Sequence, residues 1–249
     1  MAWSKPYFYY KTDLTTAGLT ATTADANYPV GNMLDGFDGT LYKGTTAATH
    51  YITFTGSASI TCDYLAFGGD NLAGATVALE FSNDNFVTDT RQAFTAFVRS
   101  GSAPVRTEFS SISGQYSRLV LTNLVQVPQI ALCWWGQGVE LEYATANFDP
   151  HQEKFNGNRN VTQTGYLSGV HQEFYERVIS FMIEDADATT YAKVADWWTT
   201  VDMKCFFFAW EKTDHATDAW IVRPDEAFNN PLKQGGAYRD ITINLRGRR

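Results

Sequence analysis

From its first residues to about Tyr143 the chain is a succession of short apolar runs, each closed by turn residues, with no convincing 3.6-residue period. Ile52 and Phe54 alternate with threonines, Val77, Leu79 and Phe81 alternate in a later run, and Leu119 and Leu121 do so again. Ile60, Cys62 and Tyr64 are expected on one face of their run, with Leu65 and Phe67 ending it on the other. Segments 68–71, 82–85 and 99–104 between these runs are rich in Gly, Asn, Asp and Ser, the residues that make turns. Period-two alternation puts one side of each strand in a core, and short strands in series without helices lead to an antiparallel β-sandwich.

The pattern changes after Glu142. Residues 144–160 are polar and broken by Pro150 and Gly157, which reads as a linker. Beyond it, 161–169 and 172–183 read as strands, and Asp185 and Asp187 offer N-cap oxygens to a helix over 188–201. Tyr191, Val194, Ala195, Trp198 and Val201 recur there at helical spacing. The run Phe206, Phe207, Phe208, Ala209 is expected to be a strand buried on both faces, and 219–223 and 238–245 complete an α+β set. The expected division is therefore 1–143 as a β-sandwich, 144–160 as linker and 161–249 as an α+β domain with one main helix. One helix cannot cover both faces of a sheet, so a bare face or edge is expected to need a partner.

Charge excludes some function classes. The formal net charge is -8, with 7 basic and 12 acidic residues before Asn147 and 12 and 15 from there on. Neither part is basic, so no specific nucleic acid is expected as a partner, and no apolar run is long enough for a membrane span. Aromatic residues are 15% of the chain and charged ones 18%, a balance that suits packed strands or surfaces covered by neighbours. Cys62, Cys133 and Cys205 are odd in number and far apart, so neither a disulfide framework nor a zinc site is expected. Reduced thiols and an N-terminus without a signal-peptide pattern predict folding in a cytoplasm.

Catalytic patterns do not emerge. There is no Gly-x-Ser-x-Gly elbow, the four histidines lack metal-ligand spacing, and Gly68-Gly69 and Gly235-Gly236 lack the rest of a phosphate loop. The nearest carboxylate pairs for glycoside hydrolysis are Asp35 with Asp38 and Glu140 with Glu142, the latter pair expected on a solvated strand face. No catalytic residue, cofactor or metal is predicted.

The segment 28–43, Tyr-Pro-Val-Gly-Asn-Met-Leu-Asp-Gly-Phe-Asp-Gly-Thr-Leu-Tyr-Lys, resembles the opening of discoidin-like (factor 5/8 C-type, galactose-binding-like) domains. Runs 50–54, 62–67, 70–82, 117–121 and 129–136 follow in that family's order, so the resemblance covers roughly 25–143. It implies a jelly-roll sandwich of carbohydrate-binding type. Tyr42 stands where a Trp is usual, and the flanking cysteine pair of secreted members is missing. Asp35, Asp38, Tyr42, Lys43 and Arg99 are the ligand-facing candidates, in a loop that also reads as a closure of the sandwich. The second half resembles, by layout, the tail-tube-type domains of distal tail and baseplate proteins of long-tailed bacteriophages. That implies a homo-oligomeric ring, often of six, with tube, hub, fibre and tape-measure proteins as partners, in a virion tail tip assembled in the bacterial host cytoplasm. A stand-alone carbohydrate-binding module is the alternative, and a hydrolase of envelope polysaccharide the third reading.

Overall fold

A computed structural model describes residues 5–145 and 149–248. The first half contains β1 (Tyr7–Lys11), β2 (Leu19–Ala21), β3 (Tyr42–Lys43), β4 (His50–Asp70), β5 (Thr76–Ser82), β6 (Arg91–Gln92), β7 (Phe97–Val98), β8 (Val105–Thr122) and β9 (Gln129–Glu140). The second contains β10 (Glu153–Val161), β11 (Leu167–Ala186), helix α1 (Ala188–Val201), β12 (Phe206–Ala209), β13 (Trp220–Pro224), β14 (Leu232–Lys233) and β15 (Tyr238–Arg248). All pair antiparallel; eleven follow one path, β10-β11-β15-β13-β12-β1-β9-β4-β8-β5-β6, and off it β14 pairs with β15, β2 with β4, β3 with β9 and β7 with β5. The protein is thus mainly β, and α1 is the one α-helix among the described residues. Among those residues no helix is long and apolar enough to cross a membrane.

Two cores result. One, inside the first half, gathers Ile52, Phe54, Leu65, Phe67, Leu79, Phe81, Leu119 and Trp135, as expected of a β-sandwich. The other packs β11, α1, β12, β13 and β15 together with β1 and with Tyr64, Ala66, Leu132 and Trp134 from the opposite side of β4 and β9. Residues 64–68 of β4 and 130–136 of β9 are therefore buried on both sides. The expected face assignment on β4 is corrected: Ile60, Cys62, Leu65 and Phe67 share the first core, whereas Tyr64 and Ala66 enter the second. The alternation inverts at a register shift between Cys62 and Tyr64, where residues 109–111 of β8 stand against the single Asp63 of β4.

The linker is also shorter than 144–160, because 153–160 form most of β10 and pair with β11. Polar composition hid this strand: its side chains are mostly exposed, so no alternation marks it. The expected strand 161–169 is instead the end of β10, a turn closed by Thr162 N donating to Tyr166 O (2.8 Å), and the start of β11. At the other end of the chain, β1 lies between β9 and β12, so a strand from 1–143 is hydrogen-bonded into the second half. Its consecutive Tyr7, Phe8, Tyr9 and Tyr10 are all buried, which requires a central position.

Helix α1 has its expected limits, capped by Asp187, whose Oδ1 accepts from Thr190 N at 2.7 Å. Its buried line is Thr190, Val194, Trp197 and Val201, so the stripe is centred on Trp197, with Trp198 only half-buried. Phe206–Ala209 are fully buried as expected: Phe206 and Phe208 meet Phe8, and Phe207 meets Trp134 edge-on at 5.4 Å. The helix covers one face of the second sheet, and the chain's own sandwich strands cover the central part of the other, where Phe207 packs. Farther out, on β11 and β15, that second face carries Glu176, Ser180, Thr242, Asn244 and Arg246 beside the half-buried Val178 and Met182.

Candidate binding cleft and assembly edge

The loop singled out in the sequence is a plug between the two halves. Asp35 Oδ1 accepts from Phe37 N (2.8 Å) and Oδ2 from Thr40 Oγ1 (2.6 Å), while Asn32 Nδ2 donates to Leu41 O (2.9 Å). Gly36, at φ +78°, offers its carbonyl to Cys205 N (2.8 Å), and a Cβ there would press on the Lys204 side chain. Tyr42 and Arg99 turn inward. Tyr42 is fully buried, its hydroxyl donating to Thr23 O (2.7 Å) beside His50 Nε2. Arg99 is buried in a bidentate ion pair with Asp70. The reason is shared: each polar atom is spent on internal backbone or charge, which no local pattern reveals. Lys43 is half-buried, its Nζ 5.8 Å from the ring centroid of the exposed Tyr28. Of the five candidates, Asp38 lines two cavities beside β13, and Arg99 lines another, of about 330 Å³, between the 97–107 segment and Ala216–Thr217. Glu140 and Glu142 both pair with Lys5, at 3.0 and 3.5 Å.

His50 gives a pH test of the sandwich. The imidazole is fully buried with Nδ1 unpartnered among the described atoms, and desolvation holds its pKa below the ordinary value despite the Thr23 carbonyl. A depressed folded pKa means the unfolded chain takes the proton first as pH falls below about 6.5. Stability is therefore full above that pH and is lost below it, by at most about 1.4 kcal/mol per unit. Urea midpoints between pH 8 and 5 should fall for the wild type and fall less steeply for His50→Asn; parallel slopes would show that His50 is not the group responsible.

Two cavities flank Ile221 on β13, and both are walled by Asp38. The larger, about 630 Å³, lies between Gly69 and the 102–104 loop on the sandwich side and Thr217, Asp218 and Trp220 on the other. The smaller, about 380 Å³, lies against Glu173, Phe174, Glu176, Arg223 and Arg246. Gly68 lets the walls approach, since a Cβ there would sit 2.8 Å from Ile221 Cδ1.

A stack of rings lies behind the larger cavity. The Arg177 guanidinium lies 4.1 Å from the Trp220 ring centroid and donates to Pro150 O (3.2 Å). His151 stands edge-on to Trp210 and Trp220, at 6.0 and 5.7 Å, and His215 lies 4.4 Å from Trp210. Asp218 Oδ2 accepts from Trp210 Nε1 (3.0 Å), and one nitrogen of each imidazole is 3.9 Å from it. No grouping of three or more metal-ligating side chains suited to a metal ion occurs among the described residues. Cys205, in the smaller cavity, has its thiol pushed up to about 11 by burial, so it stays protonated near neutrality. Sequence reading missed this cleft because its parts lie far apart; the available signal was Trp210 and Trp220 bracketing His215 and Asp218.

The second feature is an edge. β10 ends the strand order, and among the described residues its outer side has no partner strand. Val161 lies opposite Leu167, Arg159 opposite Val170 and Phe155 opposite Tyr175. Opposed residues share a face, and on β11 this face continues into the buried Ile179, Phe181 and Ile183. The core stripe therefore runs out along the hairpin. There Val161, Tyr166, Leu167 and Val170 are each more than half exposed.

No family model and no curated protein matches the chain. Among solved structures it is similar to a chitosan-binding module of a Paenibacillus chitosanase/glucanase, with 16% identity and a TM-score of 0.43 over 51% of this chain and 97% of that one. It is also similar to a carbohydrate-binding module of Clostridium perfringens in complex with GalNAc-β-1,3-galactose (18% identity, TM-score 0.40, 49% of this chain and 98% of that one). A third, a Bacteroides thetaiotaomicron putative α-L-fucosidase, is 18% identical with a TM-score of 0.43 over 51% of this chain and 29% of that one. Likeness this distant assigns no ligand here.

Proposed function

We propose that this chain is a structural component of a phage tail tip, a distal-tail or baseplate protein that closes into a homo-oligomeric ring of about six and turns its sandwich outward. The observation that carries the assembly is the β10–β11 hairpin. Nine residues of β10 at about 3.3 Å each reach roughly 30 Å, and a two-stranded hairpin is marginal in water by itself. Exposed apolar residues in line with the core, next to an open strand edge, make a surface that another chain completes. Charge favours a second copy: residues 155–172 contain Arg159 and no carboxylate, in a chain of net charge -8. A heterologous contact of this kind closes into a ring when its rotation permits. Assembly in the host cytoplasm and partners among tube, hub, fibre and tape-measure proteins follow from the sequence resemblance. The reading assigns no catalytic role.

Light scattering on a sizing column tests this. The wild type should elute as an oligomer, and Leu167→Glu with Val170→Glu should elute as a monomer of unchanged circular dichroism. A wild type that stays monomeric at high concentration, alone and with tail partners, sinks the ring.

A carbohydrate-binding role for the sandwich is the second reading, favoured by the exposed Tyr28 ring beside the Lys43 ammonium. An aromatic face next to a hydrogen-bond donor suits the mixed apolar and polar surface of a sugar. In the assembled particle such a sandwich would dock fibres or touch host-surface glycan.

A further inference from the structure

We infer that the cleft flanking Ile221, rather than the exposed surface of Tyr28 and Lys43, binds a hydroxyl-rich oligosaccharide without negative charge, held between the two halves of the chain. This rests on the carbohydrate-binding reading and moves its site. Both cavities fall within the few hundred Å³ typical of ligand sites, and they share Asp38 and Ile221, so one elongated ligand can cross from one to the other.

The charges on the walls decide the ligand class. The cationic groups there are engaged: Arg99 by Asp70, Arg223 and Arg246 by Glu176, and Arg177 by the Trp220 face and the Pro150 carbonyl. Asp38 and Glu173 have no ion-pair partner among the described residues, and both are on exposed positions. Uncommitted acceptors therefore outnumber uncommitted donors. A phosphate or uronate would meet repulsion, whereas sugar hydroxyls donate to carboxylates in charge-assisted hydrogen bonds. Ile221, Pro104 and Trp220 supply apolar wall for the C–H faces of the rings.

The test is calorimetric titration of the full chain with neutral, amino-sugar and uronate tetrasaccharides. A neutral or amino-sugar ligand should bind, and the uronate should not. Ala103→Trp, which fills the larger cavity from an exposed position, and Asp38→Asn, which removes the shared acceptor, should each weaken binding roughly tenfold, about 1.4 kcal/mol. Binding abolished by Tyr28→Ala and kept by Ala103→Trp overturns the cleft while leaving the carbohydrate reading standing. Preference for the uronate overturns the ligand class, and failure of every tetrasaccharide to bind overturns both. Thermal midpoints matching the wild type establish that the variants are folded.

Discussion

Arg99→Ala is expected to destabilise the protein by about 3–5 kcal/mol, the usual result of removing one partner from a buried ion pair. The Arg99 and Asp70 side chains are 2% and 0% exposed, so water cannot replace the lost cation. The guanidinium fork meets both carboxylate oxygens, Nε to Oδ1 at 3.2 Å and Nη2 to Oδ2 at 2.9 Å. It also donates to the carbonyls of Ser100 (3.1 Å) and Ala103 (2.6 Å), and Asp70 Oδ1 accepts from Leu72 N (3.0 Å). One side chain thus satisfies two loop carbonyls and neutralises the carboxylate that holds the corner after β4. Arg99→Lys should recover part of the loss, because a point charge cannot reproduce the fork. Asp70→Asn combined with Arg99→Ala should cost less than the sum of the single changes, since no lone charge then stays buried. Urea unfolding of the wild type, Arg99→Ala, Arg99→Lys, Asp70→Asn and the double variant measures this, and a loss under about 1 kcal/mol for Arg99→Ala would place the pair in the weak, solvated class. The loop held by Arg99 is also a wall of the larger cavity, so the same variant should weaken oligosaccharide binding.

Arg99 also marks the limit of what is legible in one sequence. Where a strand has one buried side, as in Val77, Leu79 and Phe81, alternation identified both the strand and its inward face. The helix was legible to its ends because its cap lies next to its periodic stripe. Strand β10 was not, because both its faces are mostly exposed and its amino acids are those of loops. Tyr64 could not be placed because the register shift beside it is made by its partner strand β8 as much as by its own neighbours. Tyr42 and Arg99 looked available because polar atoms are common at ligand sites. Their actual partners, Thr23 and Asp70, lie 19 and 29 residues away. The cleft is the extreme case. Asp38, Arg177, Asp218 and Ile221 have no joint signature until β13 is laid beside the sandwich corner.

Phe208→Ala should cost about 3–5 kcal/mol and lower one transition rather than split it into two. Phe208 is fully buried where the halves join: it lies opposite Phe8 in the β1–β12 register, and its ring centroid is 5.8 Å from that of Phe8. It also stacks on Phe181 at 6.0 Å and meets Trp220 at 5.9 Å, so truncation opens a void shared by β1, β11, β12 and β13. Because β1 is also bonded to β9, loosening β12 removes support from the sandwich strand beside it. The side of β9 that would be exposed carries Leu132 and Trp134, apolar groups that a separate sandwich would have to hydrate. Two halves joined by a shared strand and a shared core should therefore unfold together. Calorimetry of the wild type, Phe208→Ala and, in the other core, Phe81→Ala should show one endotherm in each, displaced downward in both variants. Two endotherms, with each variant moving only its own, would mean that the halves fold as independent domains. In that case the cleft between them would be a hinge, and a ligand lying across it would couple two separately stable bodies.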